Sequence, residues 1–170
     1  MDDMIQISSK NQSERELEVV QILNDLLQKY KFPIFTNQVE VESKVIPHSH
    51  PVLTLNTSTK DPLLLLQTLI HEQLHWFVTD HPKKVETIEY LKKHYEDNGE
   101  CNVSGKHPDS FWEHIIVCFN TLVVLKTIVT GEELKYIYDQ WQAYPKTEKL
   151  VKDNFEQIES ELKNYNMIVS

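Results

Sequence analysis

Apolar positions along the chain follow two rhythms. After Ser13, the residues Val19, Val20, Ile22, Leu23, Leu26 and Leu27 recur at the spacing of one helix face. Ser13 with Glu16 three places on has the form of a capping box that opens this helix, and Pro33 closes it. V-E-V-E-S (39–43) then alternates apolar and charged residues, the period of a half-exposed strand. K-V-I-P-H-S-H-P-V-L-T-L-N-T follows, and its two prolines suit an edge strand or a bulge. Asp61-Pro62 joins an N-capping acid to a proline at the first helical position and predicts a helix to about Thr79, stopped by His81-Pro82.

Further helices are predicted over 85–98, from Asp109 or Ser110 to about Val129, and over 132–143 and 147–165 with Tyr144-Pro145 between them. The β-branched content of 115–129 also fits strands. Residues 1–12 read as a loose, flexible polar arm. Helix, small sheet, then helices only is an α+β order: one mostly helical domain over 13–170.

Composition narrows this. In 170 residues, 40% hydrophobic and 25% charged, there are only three glycines, which agrees with a single helix-rich domain and few tight hairpins. A formal net charge of −9 argues against nucleic acid as a partner, since binding phosphates needs a basic surface. The start M-D-D-M-I-Q-I lacks a basic-then-apolar leader pattern, and Cys101 and Cys118 are too few for a disulfide framework. The reading is a cytoplasmic chain. The longest apolar run, 115–129, is interrupted by Asn120 and Lys126 and falls short of the ~18 apolar residues of a membrane span.

The candidate chemistry is L-I-H-E-Q-L-H-W at 69–76. Residues four apart on a helix lie one above the other, so His71 and His75 present two imidazoles on one face, a pairing that favours Zn2+. Glu72 points about 100° away at ~3.6 residues per turn, near enough to serve as general base for a zinc-bound water. The surrounding leucines make a solvated helix an unsuitable home for three ionisable groups, which are costly to bury unless paired or bound to metal. A catalytic zinc takes three protein ligands. Downstream candidates are His107 in a loop and the neighbours Glu113 and His114, of which a helix can turn only one to the ion. His81 follows the helix too closely, and His94 lies among lysines. Spacing alone leaves the third ligand open. Tyr136, Tyr138 and Tyr144 are candidates for a phenol that stabilises an oxyanion.

H-E-Q-L-H-W resembles the signature of the zincin superfamily of metallohydrolases. With H-S-H-P-V-L-T-L-N-T before it and H-I-I-V-C after it, the stretch from about Val45 to Pro145 looks like a family of bacterial zincin-like proteins. The resemblance implies a zincin-like fold, Zn2+ on His71, His75 and His114, catalysis by Glu72, and a peptide or protein substrate laid against an edge strand at 51–56. His48 and His50, just before that strand, would line the cleft or simply be exposed. The family's glutamate six residues after its last histidine is Asn120 here, a departure. The rival expectation is a non-catalytic, regulatory zinc-binding protein. A third is a helical interaction module that holds its histidines without metal.

Overall fold

The computed structural model describes residues 5–101, 108–140 and 143–169. Where a loose arm is expected, β1 (Gln6–Ser9) pairs parallel with β2 (Gln38–Val41), Ile7 opposite Val39. The chain passes between them through α1 (Glu14–Lys29), the long crossover that parallel strands require. β3 (Leu53–Leu55) pairs parallel on the far side of β2, with Val41 opposite Leu55. β1 gives almost no periodic signal because it is four residues long and its partner lies beyond a whole helix.

Only half of the expected capping box forms. Ser13 Oγ accepts from the Glu16 amide at 3.3 Å. The Glu16 carboxylate turns elsewhere and accepts from Ser9 Oγ (2.8 Å), from the backbone and side-chain amides of Asn11 (2.9 Å each) and from Ser43 N (2.9 Å). It thus knots together the end of β1, the start of α1 and the loop after β2.

α2 (Pro62–Asp80) begins and ends as expected, with Asp61 Oδ1 accepting from Leu63 N and Leu64 N. It lies against α1, β3 and the later helices, so every residue from Leu65 to Leu74 is buried. Gln73 is held by tertiary partners: it accepts from Phe35 N and Thr36 N and donates to Thr36 O. α3 (Lys84–His94) leads to α4 (Ser110–Ile128), which packs across α2 and resolves the strand alternative as helix. By length and composition α4 could cross a membrane, with a mean hydropathy of 1.4, but 67% of that window is buried inside the fold. α5 (Gly131–Gln140) and α6 (Pro145–Asp153) follow, then α7 (Phe155–Lys163). The last two replace one expected helix. Apolar spacing runs straight through the break at Asn154, whose backbone and side-chain amides both donate to Leu150 O. The result is a mostly helical α+β fold with a three-stranded parallel sheet.

Candidate metal centre

α2 presents His71 and His75 one turn apart, with their Nε2 atoms 3.3 Å from each other. Because α4 packs on that face of α2, His114 meets them with ring centroids 5.7 Å from His71 and 4.9 Å from His75. One ligand atom from each of the three histidines lies within 4.8 Å of the others. His114 Nδ1 donates to Ser110 O, one turn back, at 2.7 Å, which leaves Nε2 with a free lone pair. Burial disfavours the protonated imidazole in all three: His71 is lowered to about 3, His75 falls well below its usual range, and His114 is lowered as well. The site is therefore a set of neutral nitrogen donors. Tetrahedral zinc with bonds of ~2.0–2.1 Å separates neighbouring nitrogens by roughly 3.3 Å, the spacing that His71 and His75 already have. The donor set fits a metal ion.

The other candidates separate cleanly. Glu113 turns from the cluster and pairs with Lys84 Nζ of α3 at 2.5 Å. His107 lies outside the described residues. His81 accepts from Lys83 N at the end of α2, and His94 stacks on Tyr90 at 4.1 Å. Tyr136 donates to Asp61 Oδ2 at 2.6 Å, and Tyr138 lies beneath Lys152.

Tyr144 is the tyrosine at the triad. Its ring is stacked on His71 (5.5 Å, 14°) and lies 4.3 Å from that of His114. Burial, helped by the nearby Glu72 carboxylate, keeps its phenol protonated far above the usual range. Glu72 is 7% exposed and has no hydrogen-bond partner among the described residues; burial pushes its carboxyl up to about 8.

The loop before β3 differs from the expected open edge. His48 exchanges both backbone hydrogen bonds with Thr54, at 3.0 and 2.8 Å. In a parallel pair the middle residue of so short a strand directs its N–H and C=O away from the neighbour, so this bridge takes the outward peptide groups of Thr54. His50 is exposed and stacks at 4.1 Å on Trp76, whose indole N–H donates to Ser49 O at 2.8 Å.

Two residues carried no sequence signal for what they do. Asn120, fully buried, donates to Ile116 O and Met167 O and accepts from Val169 N. An ionised glutamate could not donate to those two carbonyls, so the amide suits this position. Glu100 caps α6 from 46 and 47 positions away.

Comparison with known proteins finds no matching family model, no matching curated protein and no matching solved structure.

Proposed function

We propose that this protein is a zincin-like, zinc-dependent hydrolase that cleaves an amide bond, with His71, His75 and His114 as ligands. The observation that carries the reading is the convergence of three neutral imidazoles from α2 and α4, two buried and His75 half-buried, beside a glutamate with no hydrogen-bond partner among the described residues. An all-imidazole set suits zinc among the common divalent metals. A bound zinc ion would act as Lewis acid and lower the pKa of water there. Glu72 receives the proton lost by the attacking water and passes it to the leaving amine. Tyr144 donates from its phenol to the oxygen that gains charge as the carbonyl is attacked. Among the described residues three ligands converge, the count that leaves a position for substrate, whereas a purely structural site closes with a fourth. Because the outward peptide groups of Thr54 are taken by His48, we place the peptide on side chains around the triad rather than as a strand added at Thr54.

Elemental analysis after purification without chelator tests the site. About one zinc per chain is expected in wild type, and none in His71→Ala/His75→Ala. Equal metal in both overturns the reading. His114→Ala should weaken zinc by more than the 10–100-fold of an outer residue, while Glu113→Ala binds as wild type. On a peptide library, Glu72→Gln should keep its zinc and lose the cleavage seen with wild type.

A further inference from the structure

The start of α6 is held from outside the helix. Tyr144 occupies the N-cap position but makes no side-chain cap, and Pro145 after it has no amide hydrogen. The next two amides would be orphans at a helix start. Both go to Glu100: Lys146 N donates to Oε1 at 2.9 Å and Thr147 N to Oε2 at 2.7 Å. Thr147 Oγ1 adds a third bond to Oε2 at 2.9 Å, and Glu148 N closes the first helical bond on Tyr144 O. Every backbone donor of that first turn is thereby accounted for, and two of the bonds end on one carboxylate.

Glu100 is itself fixed. Its amide donates to Asn98 Oδ1, Gly99 N donates to Asp97 Oδ1, and Asn98 Nδ2 reaches Thr147 Oγ1. Gly99 takes a φ of +73°, which an L side chain resists, and this lets the turn aim Glu100 at the helix. The ring of the N-cap residue held in this way is the one that lies on His71 and His114.

We infer that Glu100 is a positioning residue of the metal centre: by capping α6 it fixes the Tyr144 ring over His71 and His114. This rests on the metal-hydrolase reading and adds to it a residue that touches neither metal nor substrate. A carboxylate binds two amides at a helix start more firmly than any neutral group, because the bonds are charge-assisted and the helix dipole favours the negative charge. Without it the first turn frays, and the phenol loses its fixed place.

A double-mutant cycle on the cobalt-substituted protein tests this, with acetohydroxamate as the probe because its oxygens bind a metal as a hydrolytic intermediate's would. The visible spectrum of Co(II) reports metal uptake and hydroxamate affinity separately. Tyr144→Phe and Glu100→Ala should each weaken hydroxamate by about tenfold while leaving cobalt affinity unchanged. In the double variant the loss should stay near tenfold, since Glu100 acts only through the phenol. Glu100→Gln, which keeps one acceptor for the Thr147 amide, should fall in between; the same cycle is run with it if Glu100→Ala does not fold. Losses that multiply to about a hundredfold, or a Glu100 variant that binds hydroxamate as wild type does, overturn the positioning role and leave the metal reading standing. Failure of the wild type to take up cobalt overturns both.

Discussion

Glu16 at the start of α1 and Glu72 in the middle of α2 are both buried glutamates on helices, the first with no exposed surface and the second with 7%. Around Glu16 the chain places four donors, from Ser9, Asn11 and Ser43. They hold its carboxyl well below the usual range, the Asn11 side-chain amide most strongly, so it is a fixed anion that ties three segments together. Around Glu72 no donor is bonded to it among the described residues, the Tyr144 phenol is near enough to feel its charge, and burial raises its pKa. Burial alone does not mark a functional acid. What separates the two is whether the fold has satisfied the carboxylate's lone pairs or left them for something else.

The largest effect should come from Glu16→Gln. An amide in that nest turns two hydrogens toward backbone and side-chain donors, so we expect the melting temperature to fall by roughly 10 °C or more. Because the folded pKa of Glu16 lies below its unfolded value of about 4.5, its contribution is complete above that value and is lost as pH falls through the lower folded pKa. Acid unfolding of wild type should therefore steepen below pH ~4.5, and that part of the slope should disappear in the variant. Circular dichroism against temperature and pH measures both, and an unchanged acid limb would contradict the fixed-anion account.

Glu148 supplies an intermediate case. It faces Gln67 Nε2 at 3.5 Å, and burial pushes its carboxyl up from 4.5 to about 7. Here the sign reverses: the unfolded chain gives up the proton first, so stability falls as pH rises from 4.5 to about 7 and is level above. A shift of this size corresponds to about 3 kcal/mol at most. Glu148→Gln should remove that decline, making the variant more stable than wild type at pH 8 and no more stable at pH 4. Urea titrations at the two pH values compare them, and equal differences at both would refute the assignment.

The smallest structural effect is expected at the most chemically charged position. Glu72→Gln, compared at pH 4, where the raised carboxyl keeps its proton, and in chelator-treated protein so that metal does not contribute, should melt within about 2 °C of wild type. A loss as large as that of Glu16→Gln would place Glu72 among the structural acids and erase the contrast.

The parts of this architecture that were plain in the sequence are those written in local chemistry. Asp61-Pro62 and His81-Pro82 bracket α2 within a residue, and the four-residue spacing of His71 and His75 needs only one helix to become a pair of adjacent ligand atoms. What stayed open depended on distant partners. Helical geometry allows either Glu113 or His114 to face the cluster; it is Lys84, on another helix, that draws Glu113 away. Three tyrosines had equal standing until the packing of α6 put only Tyr144 over the histidines. β1 was missed for the same reason, because a strand of four residues acquires meaning from its neighbour. The capping-box pattern at Ser13 and Glu16 misled in part: the motif was right about the serine, while the glutamate had better donors elsewhere.

The anchoring of residues 167–169 by Asn120 gives biosynthesis a constraint. Met167 joins its partner on α4 across 47 positions of chain, which at roughly 5–20 residues per second is about 2–9 s of translation. Throughout that interval all three histidines have been polymerised, yet the helix that carries the third still lacks one of its covers. α4 is also the segment with the length and greasiness of a membrane span. Until residues 167–169 are made, part of that hydrophobic rod waits for its cover, so the order of synthesis makes the helix that carries the third histidine one of the last to be fully enclosed.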